Sequence, residues 1–188
     1  MRIIGGEARG RRLIAPDGMQ TRPTADKTRE SLFNILARVV PGAKVADLFG
    51  GTGALALESL SRGAEFAFIS DTSAAAIKAI ERNAHTVLGD HAADAVQIVK
   101  ADYKRAIERM RIDKYTLVFL DPPYALKDSY RDAVERLEKA GLLSQDAIIV
   151  MEKSKDTVIE LPDSMEIYDE RNYRDTVVAF ARFKETET

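Results

Sequence analysis

From Ala43 onward, short apolar runs alternate with amphipathic helical stretches, and this restricts the fold more than any other property of the 188-residue chain. The pattern predicts strands near Lys44 to Phe49, Glu65 to Ser70, Ala95 to Lys100, Tyr115 to Leu120 and Ala147 to Glu152. It predicts helices near Ala54 to Arg62, Ser73 to Leu88, Lys104 to Arg111 and Ser129 to Ala140. Such alternation builds a parallel sheet with helices on both faces. The tail breaks the rhythm. Ser164 to Arg171 and Thr176 to Phe183 read as two strands without a helix between them, so an antiparallel pair should close an otherwise parallel, seven-stranded sheet. Val178, Phe180 and Arg182 alternate with Val177, Ala179, Ala181 and Phe183, the pattern of a half-buried strand near an edge. The expected fold is α/β, with one domain over residues 43–188.

Residues 1–42 form an amino-terminal extension. Arg2-Ile3-Ile4 and Arg11-Arg12-Leu13-Ile14 flank a glycine-rich turn and read as a small β-hairpin. A hairpin of that size is not stable alone and must dock on something. Pro16-Asp17-Gly18 marks a turn, and Thr24 is suited to cap the helix that follows. Leu32, Ile35, Leu36 and Val39 give that helix one apolar stripe, and Pro41-Gly42 ends it.

Charge divides the chain in the same place. Residues 1–42 carry eight Lys/Arg against four Asp/Glu, and the remainder carries twenty against twenty-six. A basic piece on an acidic body suits a nucleic-acid partner, and Arg9, Arg11, Arg12, Arg22, Lys27 and Arg29 are its candidate contacts. All six lie off the apolar stripe and are expected to stay solvated. There is no cysteine, which excludes disulfides and thiolate metal sites and fits a cytoplasmic location. The start of the chain does not read as a signal peptide, and no apolar run is long enough to cross a membrane. His85 and His91 lie in a polar stretch and are expected to be solvated, so no metal site is expected.

Two stretches carry the chemistry. Asp121-Pro122-Pro123-Tyr124 follows the apolar run Leu117-Val118-Phe119-Leu120. Two consecutive prolines end a strand, which places the tetrapeptide at the carboxyl end of the sheet, where α/β proteins bind ligands. Asp121 offers acceptors, Pro122 a carbonyl on stiff backbone, and Tyr124 a ring face. This set, with Pro123 completing the turn, suits a planar group bearing an exocyclic amine, such as a nucleobase. The second stretch is Asp47-Leu48-Phe49-Gly50-Gly51-Thr52-Gly53, between a strand and a helix. Gly51-x-Gly53-x-x-Ala56 with Asp71 fits a nicotinamide dinucleotide fingerprint. The Asp47-x-x-x-Gly51-x-Gly53 spacing instead resembles motif I of S-adenosylmethionine-dependent methyltransferases, in which the strand-end acid serves the cofactor's amino-acid moiety. Later acids favour the second reading. Asp71 closes the second strand and can accept from ribose hydroxyls. Asp102, between Ala101 and Tyr103, follows the third and can accept from an adenine amine, with Tyr103 beside the ring. Phe49 belongs to the same candidate cofactor set. Each strand-end Asp has an alternative use as a helix cap.

With Arg2-Ile3-Ile4-Gly5-Gly6, Arg9-Gly10-Arg11-Arg12-Leu13, Arg22-Pro23-Thr24, Arg29-Glu30 and Phe33-Asn34, the chain resembles the RsmD family nearly end to end. These are bacterial small-subunit ribosomal RNA (guanine-N2)-methyltransferases. The resemblance implies a class I S-adenosylmethionine-dependent methyltransferase fold, Rossmann-like, with an amino-terminal hairpin that engages RNA. It implies a guanine of small-subunit (16S) rRNA as substrate, free or in an assembling particle. Gly50 and Thr52 stand where the family more often has Ala and Ser, Asp71 where Glu is common, and Arg174 where Gly usually precedes an acid. Adenine-N6 methylation would suit the same acceptors, and a non-catalytic RNA-binding module is the alternative outside enzymes.

Overall fold

The computed structural model describes residues 1–16, 23–111, 114–123, 126, 128–174 and 176–185, with side chains in the first helix from Asp26 onward. Seven strands form one sheet: β1 (Lys44–Asp47), β2 (Phe66–Asp71), β3 (Val96–Lys100), β4 (Tyr115–Leu120), β5 (Leu143–Lys153), β6 (Met165–Asn172) and β7 (Val177–Phe183). Their order is β3-β2-β1-β4-β5-β7-β6. The first five are parallel, and β7 runs antiparallel to both β5 and β6. The helices are α1 (Pro23–Ile35), α2 (Ala54–Ser61), α3 (Ala74–Leu88), α4 (Ala92–Ala95), α5 (Tyr103–Ile107) and α6 (Ser129–Lys139). The chain winds outward from β1 to β3, returns to β4 beside β1, and winds the other way. The crevice between β1 and β4 is thus the switch point where such sheets bind ligands.

Alternation along the strands sorts the core into two layers. Val45, Ile69, Leu117, Phe119, Val150, Val178 and Phe180 pack on the face that also holds Leu32, Phe33 and Leu36. Ala46, Phe68, Val118, Leu120, Ile149, Met151, Ala179 and Ala181 pack on the other, against Ala106 and Ile107 of α5 and Ala133, Val134 and Leu137 of α6. The near-continuous apolar runs of β1, β2 and β4 follow from this two-sided burial.

The tail pair forms as expected, but β7 is interior. Val177 to Ala181 are all buried between β5 and β6, and β6 is the half-exposed edge. Small alanines on one face of β7, Ala179 and Ala181, let that layer close over it.

The amino-terminal extension is not a two-stranded hairpin. It has one antiparallel bridge, Arg2 to Arg12, and irregular backbone held by bonds such as Ile3 N to Arg11 O at 2.9 Å. Ladder pairing is replaced by docking on α2. Glu58, fully buried, accepts from Ile4 N at 2.8 Å, Gly5 N at 2.7 Å and Arg62 Nε at 2.8 Å. Ser61 Oγ donates to Gly5 O and accepts from Ala8 N. The approach is close enough to require glycine at Gly6, where φ is +74° and a Cβ would lie 1.7 Å from Ser61 O. Ile3, Ala8 and Leu13 join the core beneath.

The first helix begins at Pro23, a favoured first position, so Thr24 lies inside its first turn. Asp17 and Gly18 of the expected turn lie outside the described residues. The helix tightens into a 3-10 turn at Leu36–Arg38. That rotation moves the buried stripe to Leu32, Phe33, Leu36 and Val40 and leaves Ile35 39% exposed. The expected helix at Lys104 to Arg111 is shorter, and β5 starts earlier, at Leu143, with a register shift where it pairs with β4.

Candidate active site

A cavity of about 710 Å³ opens at the carboxyl ends of the strands, on the α1 side of the switch point. Its floor is a row of acids. Asp47 continues the parity of Val45 in β1, Asp121 that of Leu117 and Phe119 in β4, and Glu152 that of Val150 in β5. These strands are neighbours, so three carboxyls occupy one ledge. Thr28, Arg29 and Leu32 of α1 form the wall opposite, with Tyr173 and Arg174 from the β6–β7 turn. Tyr173 Oη donates to Ser31 Oγ at 2.9 Å, which ties that turn to α1.

The glycine loop forms the other end of the cavity. Gly50 N donates to Ser70 O, and Gly53 N donates to Gly50 O at 2.7 Å. Gly53, at φ +76°, turns the chain into α2. Its role is in the turn, since it is not on the cavity wall, whereas Phe49, Gly50, Gly51 and Thr52 are. Asn83 of α3 donates to Thr52 O at 2.9 Å and also bonds Ile14, so α3 clamps the loop and the extension together.

The acids differ in how they are held. Asp71 Oδ2 accepts from Gly51 N at 2.9 Å and Oδ1 from Ser73 N at 2.8 Å, leaving one lone pair on each oxygen. Asp102 Oδ1 accepts from Lys104 N and Arg105 N, so it caps α5, and its Oδ2 keeps acceptor capacity toward the cavity. Capping therefore leaves Asp102 an oxygen that could accept from a ligand. Ala101 and Tyr103 line the same wall; Tyr103 packs 5.6 Å from Phe49, centroid to centroid, and donates to Asp132 Oδ2 at 2.6 Å. Asp47 is 2% exposed and accepts only a 3.3 Å bond from Phe49 N among the described residues. Burial pushes its carboxyl up to about 7, against the lowering by that bond and with a further rise from Asp71.

Asp121 is open to the cavity and walled by protein elsewhere. Desolvation raises its pKa, and the carboxylates of Glu152 and Asp47 raise it further. Pro123 lines the cavity, while Pro122 is buried beneath it. Tyr124 lies outside the described residues.

The expected cationic surface is only partly solvated. Arg29 is 5% exposed, bonded to Arg2 O and to Asp26 Oδ1 at 3.1 Å, with Glu58 at 3.9 Å. Burial lowers its pKa, and Asp26 and Glu58 offset that. The helical stripe alone did not reveal this, because the extension folds over that face of α1. Arg11 is exposed but donates to the carbonyls of Thr86 and Val87 at the end of α3. Arg9, Arg12 and Lys27 are exposed, and Arg22 lies outside the described residues.

The family described as "Conserved hypothetical protein 95" matches residues 1–182. The chain belongs to this family. Its relatives include "Ribosomal RNA small subunit methyltransferase D" of Escherichia coli strain K12, 36% identical over 81% of this chain and 74% of that protein. "Putative rRNA methyltransferase YlbH" of Bacillus subtilis is 35% identical over 88% of each chain. Among solved structures, "Putative methyltransferase yhhF from Escherichia coli" superposes with a TM-score of 0.81 at 27% identity, covering 99% of both chains. The resemblance to the RsmD family is thus borne out, and so are the class I fold and the assignment as an S-adenosylmethionine-dependent methyltransferase. The donor set fits that cofactor. Asp47 is a buried acid short of partners, placed for an ammonium group, and Asp71 and Asp102 keep free acceptors for hydroxyls and an amine. Among the described residues no helix is long and apolar enough to cross a membrane.

Glu152 and Glu58 are the residues that strand and motif reading missed. Glu152 had a signal, since it ends an apolar strand at the parity of Val150, as Asp121 ends β4. Glu58 had a weaker one, a charge inside the apolar run Ala54-Leu55-Ala56-Leu57.

Proposed function

We propose that the chain methylates the exocyclic N2 amine of a guanine in small-subunit ribosomal RNA. What carries the reading is the ledge of acceptors beside the glycine loop, in a member of a family whose relatives are named for this RNA. S-adenosylmethionine supplies a methyl group on a positively charged sulfur. Asp47, Asp71 and Asp102 hold it by the amino-acid end, the ribose and the adenine, with Phe49, Ala101 and Tyr103 lining its wall. Asp121 and the Pro122 carbonyl accept the two amine hydrogens and draw the nitrogen lone pair out of conjugation. Tyr124 is assigned to stacking on the base from sequence alone. Much of the acceleration comes from alignment of the reacting atoms in a walled cavity. The target base leaves its stack to enter, at a cost of about a few kcal/mol.

Phosphate contacts are assigned to Arg9, Arg12 and Lys27, with Arg22 retained from the sequence. Arg11 and Arg29 act first as struts of the extension. The test is labelled methyl transfer into naked small-subunit RNA and into assembling particles, followed by mass spectrometry of the nucleosides. N2-methylguanosine is the expected product. N6-methyladenosine would replace guanine by adenine in the reading, and no transfer to either substrate would sink it.

A further inference from the structure

We propose that Glu152 is a positioning residue for the methyl transfer, sharing a proton with Asp121 on the neighbouring strand end and so keeping that residue ready to take the proton the amine gives up. This rests on the amine-methylating reading above. Leu120 pairs with Met151, so the next position of each strand sets Asp121 opposite Glu152. Parity aims both at the face that α1 covers, and both line the same cavity. The backbone of Glu152 is pinned, because its carbonyl accepts from Tyr130 Oη at 2.6 Å.

The surroundings favour a shared proton. Asp47 adds a third carboxyl from β1, and among the described residues Val178 of β7 and Thr176 just before that strand line the cavity. The Thr176 hydroxyl partly offsets the rise that burial imposes on Glu152. From α1 come Thr28, Leu32 and Arg29, which pairs with Asp26 at 3.1 Å and stands 3.9 Å from Glu58, an acid it shares with Arg62. The β6–β7 turn contributes Tyr173 and the exposed Arg174 at the mouth. Lys153 is taken by Glu170 at 3.1 Å. Two adjacent carboxyls with so little counter-charge do not both ionise readily, and they titrate as a pair in two steps.

The pair then serves the reaction in its singly protonated form. The protonated member donates to the ionised one and fixes its direction. As the amine nitrogen bonds the methyl carbon, the carbon–sulfur bond breaks with its electrons going to sulfur. The nitrogen is left with one proton too many. That proton passes to the ionised carboxyl and leaves by the cavity mouth to water.

The experiment titrates the protein alone, labelled with 13C at Asp and Glu side-chain carboxyls, by NMR. Wild type should show, besides the Asp47 step near 7, an upper step that moves to lower pH in both Glu152→Gln and Asp121→Asn. In steady state, wild-type kcat should fall on the alkaline side with the same midpoint. Glu152→Gln should lose that limb and turn over on the order of tenfold more slowly, with S-adenosylhomocysteine affinity within about threefold of wild type. An upper step left at its wild-type midpoint in both variants overturns the proposal. So does a Glu152→Gln enzyme with the wild-type pH profile beside an inactive Glu152→Ala, which marks a structural role. The nucleoside product tests the guanine reading separately, since adenine methylation would leave the two titration steps in place.

Discussion

The two ends of the cavity use the same residue type in opposite ways. At the glycine-loop end, Asp71 and Asp102 are held by backbone N–H groups of Gly51, Ser73, Lys104 and Arg105. At the β4–β5 end, no backbone N–H of the described residues donates to Asp121 or Glu152, and both are raised by burial. Carboxyls held by backbone donors are rigid and suited to hold a ligand in one pose. Those without such donors are raised by burial, which suits a group that must accept a proton. Asp47 stands between the two kinds, with one long bond and a pKa of about 7.

The largest expected effect falls at the unsatisfied end. Asp121→Ala should lower kcat by about 10²–10⁴-fold, the range for a lost acid–base group, with S-adenosylhomocysteine affinity held within about threefold by calorimetry. Wild-type turnover in folded mutant protein would erase the distinction between the two ends.

Asp47 sharpens the comparison through pH. Its carboxyl titrates near 7 when folded and near 3.8 when unfolded, so the folded state binds the proton more tightly. Between those values unfolding releases protons. Stability therefore falls as pH rises, and the penalty is complete above about pH 8. Asp47→Asn removes it, on the order of 4 kcal/mol. In ligand-free thermal unfolding, the mutant's Tm advantage should widen from pH 5 to pH 8. A constant gap would show that Asp47 already has a counter-charge.

Asp71→Ala probes the satisfied end. It should weaken S-adenosylhomocysteine by about 1.5–3 kcal/mol, the worth of hydrogen bonds to a charged group, and leave kcat at saturating cofactor much less affected. Unchanged affinity would remove Asp71 from the site.

Much of this arrangement was legible in the sequence. Apolar runs mark buried strands, and a polar residue at the end of such a run marks the sheet edge where ligands sit. That logic located Asp47, Asp71, Asp102 and Asp121, and it applied equally to Glu152. The extension was less legible. Its local pattern suggested paired strands, but its backbone bonds go to Glu58, Ser61 and Asn83, more than fifty residues away. Such partners leave no periodic mark. The same folding-over hides Arg29, which reads as a surface residue on the helix but is buried by Arg2 and Glu58.

The smallest effect is expected where neither end of the cavity is touched. Arg9→Ala with Arg12→Ala should flatten the salt dependence of RNA binding by a log–log slope of about 1–2, with both cofactor affinity and thermal stability preserved. Adding Arg11→Ala should also lower Tm, because that side chain holds the end of α3.

Glu58 also bears on how the chain matures during synthesis. Residues 4–14 leave the ribosome before their anchors at Glu58, Ser61 and Asn83, which follow only after about fifty to seventy further residues. Until α2 and α3 exist, the extension has nothing to close onto, and closing so long a loop is entropically costly before those contacts reward it. The amino terminus is therefore translated first and docked late. In the meantime its arginines are free of the protein body, on a nascent chain beside the ribosome's own RNA.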